Sequence, residues 1–230
     1  MSSHSQSPIN PLPPVVTGLA VVIAGIELLF SLGEHGILGG DAAIGWRLVA
    51  LRDWGMFDPL FDWMRAHDVI LWPELVRLLT YPLLHLGFTH ALFAVVFLLA
   101  IGKQVAEALG QIAFLAIFFL SAVAGALIWS LVVDERQVLV GAFPGIYGLI
   151  GAYTFVMWLV LERIGENRWR AFSLIGFLLG VQLLFNVLFG GTLQWIADLG
   201  GFVTGFALAF ALSPVGRERA RLWITRLRRR

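Results

Sequence analysis

The residues best suited to chemistry are two histidines and one aspartate that lie within long apolar stretches. His85 and His90 are five positions apart in one stretch, and Asp198 lies in the last stretch. A carboxylate buried in a membrane is costly unless it is paired or protonated. We therefore treat Asp198 as a candidate site residue with His85 or His90 as its partner. A polar lock between two helices is the alternative role for the same side chain.

A metal site built from these residues has little support. Histidines that bind zinc from one helix are typically four positions apart and share a face, whereas His85 and His90 are five apart. The chain has no cysteine, which excludes disulfides, thiolate nucleophiles and thiolate metal ligands. We expect no metal and no cofactor.

Glycines recur in two of the apolar stretches. Glycines four residues apart lie on one helix face and allow two membrane helices to approach closely. Asp198 precedes such a glycine on the same helix, so its side chain should face the protein interior. The glycines predicted to form these helix contacts are Gly141, Gly145, Gly148 and Gly151 in one stretch, and Gly201 and Gly205 in the other.

The elements that position these residues are predicted to be transmembrane helices. The chain of 230 residues is 59% hydrophobic and only 13% charged, and its mean hydropathy is +0.84. Soluble domains contain about 25% charged residues, so this composition predicts an integral membrane protein and gives no indication of nucleic-acid binding. The six predicted spans are 15–32, 75–101, 111–133, 140–161, 171–189 and 193–212.

The predicted membrane domain covers 15–213 and lies between two short tails. Residues 1–14 lack the positive start of a secretory signal and are predicted to be disordered. The tail 214–230 is rich in arginine and should contact anionic lipid headgroups.

The first loop, 33–73, is long and rich in tryptophan. It carries Trp46, Trp54, Trp63 and Trp72 among charged residues, a pattern typical of structure that lies in the membrane interface. Glu27, near the end of the first span, is predicted to extend to the membrane surface, with a buried functional carboxylate as the alternative.

Basic residues predict the orientation of the chain. Six spans place both termini on one side, and the positive-inside rule assigns the arginine-rich tail to the cytoplasm. Lys103 and the cluster Arg163, Arg168 and Arg170 then also face the cytoplasm, whereas the first loop and Arg136 face outward. We expect a multi-pass protein of the bacterial inner membrane with cytoplasmic N and C termini.

Four motifs, taken in order, resemble the rhomboid intramembrane serine proteases. They are RLLTYPLLHLGFTH at 77–90, EALG at 107–110, GAFPGIYGLIG at 141–151 and ADLGGFVTG at 197–205. The resemblance covers about 74–214. It implies an all-α membrane protein, a six-transmembrane-helix rhomboid-like bundle with an interfacial first loop.

The resemblance also shows which catalytic positions are substituted. Active rhomboids use a serine nucleophile in Gly-x-Ser-Gly, a histidine base before Gly-Gly in the sixth span, and an asparagine that helps to stabilise the oxyanion. At the matching positions this chain has Phe143, followed by Pro144, then Asp198 and Ala94. Phenylalanine cannot attack an acyl carbon, so the Ser–His mechanism of the family cannot operate here.

Three other family positions are retained, namely Arg77, His85 and His90. The combination predicts a pseudoprotease that binds or regulates another transmembrane protein at the gap beside its fifth helix, in contact with membrane lipids. One alternative is an active intramembrane peptidase with a site rebuilt around Asp198 and the histidines. Another is a small transporter or channel with a polar path through Glu27, Asn186, Asp198 and the two histidines.

Overall fold

The computed structural model describes residues 11–133, 137–213, 215, 216 and 218. Three predictions fall partly or wholly outside these residues: the disorder of the N-terminal tail, the turn that contains Arg136, and the arginine cluster of the C-terminal tail.

Helices make up almost all regular structure in the described residues. Short 3₁₀ turns at Gly40–Ala43, Tyr81–Leu83 and Arg168–Phe172 join some of them. The helices are α1 Pro14–Glu34, α2 Trp46–Trp54, α3 Asp58–Ala66, α4 Trp72–Leu75, α5 Arg77–Thr80, α6 Phe88–Leu109, α7 Gln111–Val132, α8 Phe143–Arg163, α9 Ser173–Phe189 and α10 Trp195–Leu212.

Six of the described helices are long and apolar enough to cross a membrane: α1, α6, α7, α8, α9 together with the turn before it, and α10. The prediction of an all-α membrane bundle with six spans is therefore confirmed. Gly110 separates α6 from α7 with a φ of +96°, a backbone conformation that favours glycine.

The second span begins later than predicted. The apolar run from position 75 contains Pro82 and Gly87, and the chain turns at Tyr81–Leu83 before it becomes extended at Leu84. The span then starts at Phe88. Proline lacks an amide hydrogen for a helical bond, which explains why hydropathy continues here although the helix does not.

The fourth span also begins later than predicted. Residues 138 and 139 belong to a strand, and Gly141 has a φ of +105°. Helix α8 starts at Phe143 with Pro144 in its first turn, where the missing amide hydrogen removes no helical bond.

Helix α8 forms the centre of the bundle, packed against α6, α7 and α10. Close backbone contacts explain this packing. A Cβ added at Gly201 would overlap the carbonyl oxygen of Pro144, and one at Gly205 would overlap that of Gly148. Similar contacts surround Gly145, against Phe118, and Gly151, against the Phe202 carbonyl. The prediction for Gly141 was wrong, because this residue lies in the turn before α8.

The first loop is folded against the bundle. Strand β1, Met56–Phe57, pairs antiparallel with β2, Val138–Leu139, in the connection that leads to α8. Met56 is opposite Leu139, and both side chains are buried. The loop therefore has a direct backbone connection to the turn that opens the central helix.

Arg47 of α2 anchors the same loop to α1. Its guanidinium donates to both carboxylate oxygens of Glu27 at 2.8 Å, to Glu34 at 2.6 Å and to the His85 carbonyl oxygen at 2.9 Å. The prediction that Glu27 extends to the surface was wrong, because Arg47 provides a buried partner. The hydrogen bonds that Arg47 donates to Glu27 raise the pKa of Arg47, so the guanidinium stays charged.

Candidate functional site

The turn before α8 presents Phe143 at the start of the central helix. The Gly141 amide donates to the Tyr81 carbonyl oxygen at 3.1 Å, and the Ala142 amide donates to Nε2 of His85 at 3.3 Å. A Cβ at Gly141 would approach the His90 ring to 2.7 Å. The turn is thus fixed by the segment that carries the two histidines.

The two histidine rings are in contact although only one is helical. His85 lies in the extended segment before α6, and His90 lies in the first turn of that helix. Their ring centroids are 5.1 Å apart, edge to face. Burial lowers the pKa of His85 to about 3, and the neighbouring His90 lowers it further. His85 is therefore neutral at physiological pH, and its Nε2 accepts a hydrogen bond.

Phe143 covers the second histidine. Its ring is stacked on that of His90, with centroids 5.1 Å apart and planes 14° apart. Nδ1 of His90 accepts a hydrogen bond from the Leu86 amide at 3.3 Å. The imidazole is held between a backbone donor and an aromatic ring.

Asp198 lies in the first turn of α10 and is almost fully buried, with 2% of its surface exposed. One carboxylate oxygen, Oδ2, accepts a hydrogen bond from Gln182 of α9 at 2.8 Å. The Gln182 side-chain oxygen accepts one from the Tyr147 hydroxyl at 3.1 Å. The predicted pairing with His85 or His90 was wrong, because the amide of Gln182 reaches the carboxylate.

A cavity of about 630 Å³ joins these groups. Its wall is formed by α6, α8, α9 and α10 and by the connection between the last two. It brings His90, Phe143 and Asp198 together, whereas His85 lies outside the lining. The residues that line it are His90, Phe93, Phe143, Tyr147, Leu178, Val181, Gln182, Phe185, Asn186, Gly190, Gly191, Thr192, Gln194 and Asp198.

The described residues that line the cavity include no serine, and their hydroxyl groups belong to Tyr147 and Thr192. The Tyr147 hydroxyl donates to an amide oxygen and not to a base. Ala94 is fully buried one turn after His90 and offers only a methyl group. The cavity can therefore bind a polar group, but these contacts do not include a nucleophile paired with a base.

Arg77 supports the first loop and not the cavity. Its guanidinium donates to the carbonyl oxygens of Arg52 at 2.6 Å and Gly55 at 3.0 Å, and it is paired with Glu74. Gly55 directly precedes strand β1. Arg77 thus helps to hold the loop that pairs with the turn before α8.

Gln182 is only weakly indicated as a site residue by the sequence. Gln182 and Asn186 lie four positions apart in an otherwise apolar span, which places them on one helix face. Nothing in that spacing identifies the face of α9 that is turned toward α10. No sequence pattern identifies Arg47 as the partner of Glu27, because Arg47 belongs to a loop whose fold depends on distant residues.

Comparison with known proteins agrees with the resemblance seen in the four sequence motifs. The sequence model of the Rhomboid domain matches residues 73–215. The "Putative rhomboid protease YdcA" of Bacillus subtilis is 30% identical over 201 residues, which cover 86% of this chain and 88% of the relative.

Two further relatives are longer than this chain. "Rhomboid-like protease 1" of Toxoplasma gondii is 31% identical over 132 residues, 57% of this chain and 45% of the relative. "Inactive rhomboid protein 1" of Danio rerio is 31% identical over 147 residues, 61% of this chain and 16% of the relative. The relatives thus include proteins named as proteases and one named as inactive.

Proposed function

Since this chain belongs to the rhomboid family, we propose that it is a rhomboid pseudoprotease that binds transmembrane segments of other proteins and thereby holds, escorts or regulates them. The observation that carries this proposal is the stacking of Phe143 on His90 at the start of α8. The ring occupies the nucleophile position of the family and leaves the adjacent cavity without an attacking group.

The weak attachment of α9 supports entry of a client helix beside it. In the most apolar part of this span 11% of residues are buried, compared with 61% in α8. Gly176 and Gly180 of α9 have no neighbouring atoms within 4 Å of an added Cβ. Because few contacts hold α9, a small displacement of this helix opens the cavity to the bilayer.

In-membrane crosslinking tests client binding. A photo-crosslinking amino acid at position 185 of α9, where Phe185 lines the cavity, should capture transmembrane segments of other proteins. The same amino acid at position 131 is the control, because Leu131 is also exposed but lies on α7, away from the cavity. Equal capture from both positions, or capture from neither, would contradict the proposal.

A cleavage assay separates this function from that of a rebuilt peptidase. The purified protein in lipid vesicles should leave transmembrane test substrates intact. A variant with Phe143→Ser, Pro144→Gly, Ala94→Asn and Asp198→His restores the residue types of the family motif, and its activity would support access of a transmembrane chain to the cavity. Cleavage by the natural protein that is lost in Asp198→Ala would overturn the proposal in favour of a peptidase.

A further inference from the structure

We propose that the client segment carries a basic side chain, lysine or arginine, that forms an ion pair with Asp198 inside the cavity. This inference rests on the proposed function and specifies the chemistry of the client. Three observations support it. They are the missing hydrogen-bond partner of one carboxylate oxygen, the acceptor groups in the cavity wall, and the position of Asp198 near one end of the bundle.

The carboxylate of Asp198 has an incomplete set of partners. Oδ2 accepts the Gln182 hydrogen bond, whereas Oδ1 is buried and has no hydrogen-bond partner among the described residues. An ionised carboxylate can accept about four hydrogen bonds. A buried acceptor that is left unsatisfied is destabilising, so the site favours an occupant that supplies donors and positive charge.

Among the described residues, the cavity wall contains no competing cation. No lysine or arginine in that part of the chain lines it, and Nδ1 of His90 is already an acceptor for a backbone amide, so this imidazole is not doubly protonated. Gln194 uses its amide nitrogen to bond the Val140 carbonyl oxygen at 3.2 Å, which leaves its side-chain oxygen for a ligand. The wall therefore combines a carboxylate with further acceptors, as a cationic donor requires.

The position of Asp198 limits where the client's basic residue must lie. Asp198 is in the first turn of α10 and His90 is in the first turn of α6, so both mark the same end of the bundle. One turn of helix rises about 5.4 Å. A matching client helix has its lysine or arginine about one turn inside that membrane face, since a residue at the far end cannot reach the carboxylate.

Binding of single-span peptides tests this inference. The host peptide is an apolar helix with tryptophan at both ends, and it carries lysine one turn inside one end, leucine at that position, glutamate at that position, or lysine at the opposite end. Because the chain has no cysteine, one cysteine at position 164, the exposed Ile164, can carry a fluorophore. Energy transfer to a labelled peptide in vesicles of zwitterionic lipid reports the affinity.

The matched lysine peptide should bind about tenfold more tightly than the leucine peptide, and the glutamate peptide should bind least. Asp198→Asn keeps the side-chain shape and should remove the preference. Asp41→Asn removes a carboxylate from the exposed first loop and should retain the preference.

The outcomes separate this inference from the proposed function. Equal binding of all four peptides to the natural protein would overturn the ion pair and leave client binding intact, and absence of any binding would count against both. A lysine preference that persists in Asp198→Asn, or that is independent of the lysine position, would also overturn the inference. The four peptides are compared on the labelled protein that retains Asp198, so the result does not depend on the folding of an Asp198 variant.

Discussion

The ring of Phe143 lies against the imidazole of His90, with the two ring planes 14° apart. An aromatic pair of this kind contributes about 0.5–1.5 kcal/mol beyond the burial of its surface. Phe143 therefore adds packing between the start of α8 and α6. Asp198 is a different type of residue, because its buried Oδ1 has no hydrogen-bond partner among the described residues, and an unsatisfied buried acceptor is destabilising.

Arg47 tests the contribution of a single buried side chain. Arg47→Ala leaves Glu27 buried without its main partner, and we expect the free energy of unfolding to fall by about 3–5 kcal/mol. Titration with a denaturing detergent in mixed micelles measures this change. Because its pKa is raised above an already high value, Arg47 adds stability that persists until the pH rises through the arginine range, so its effect should be constant from pH 5 to about pH 10.

Two variants serve as controls for the stability loss expected of Arg47→Ala. Arg52→Ala removes a guanidinium whose side chain is 75% exposed and should leave stability unchanged. The double substitution Glu27→Met and Arg47→Met removes both buried charges and should restore at least half of the loss. A loss in the double variant as large as that of Arg47→Ala would contradict the ion-pair explanation.

At the scale of elements, glycine determines how closely α8 and α10 approach. Gly205→Ala places a methyl group on the carbonyl oxygen of Gly148, so the two helices must move apart. We expect the free energy of unfolding to fall by about 3 kcal/mol, measured by the same detergent titration.

Gly180→Ala is the matched control for this substitution. It also lies in a transmembrane helix, but nothing is within 4 Å of its added Cβ. We expect stability to remain unchanged or to rise slightly, because alanine favours helix more than glycine does. An equal loss in the two variants would contradict the explanation by interhelical contact.

The helices were more predictable than the contacts between their side chains. Hydropathy identifies the six spans because a bilayer requires long apolar helices whatever the packing. It misplaces the start of α6, since Pro82 and Gly87 interrupt the helix within an apolar run. The bond between Gln182 and Asp198 depends on the rotation of α9, and the ion pair of Arg47 with Glu27 depends on the fold of a loop. Neither contact can be predicted from the spacing of residues along the sequence.

At the scale of the molecule, the polar contacts of the cavity and of Arg47 lie at one end of the bundle. The starts of α6, α8 and α10 meet there, and the first loop covers this end through Arg47 and the two short strands. The basic cluster between α8 and α9 lies at the opposite end. This distribution supports an orientation with the cavity near the outer membrane face.

Labelling of two matched single-cysteine variants tests that orientation. Ile70 in the first loop and Ile164 after α8 are 66% and 65% exposed. In intact cells a membrane-impermeant maleimide should modify Ile70→Cys and should reach Ile164→Cys only after the membrane is permeabilised. The reverse pattern would show that the loop faces the cytoplasm, contrary to the positive-inside rule.

The pairing of Met56 with Leu139 has a consequence for the order of assembly during synthesis. The early strand must wait for a partner that leaves the ribosome after two further spans, a delay on the order of ten seconds at common translation rates. The bonds of Arg47 to Glu27 and to the His85 carbonyl need only residues up to position 85. The nascent loop can therefore be held first by its arginine, and the late arrival of residues 138 and 139 completes its backbone pairing just as the central helix is made.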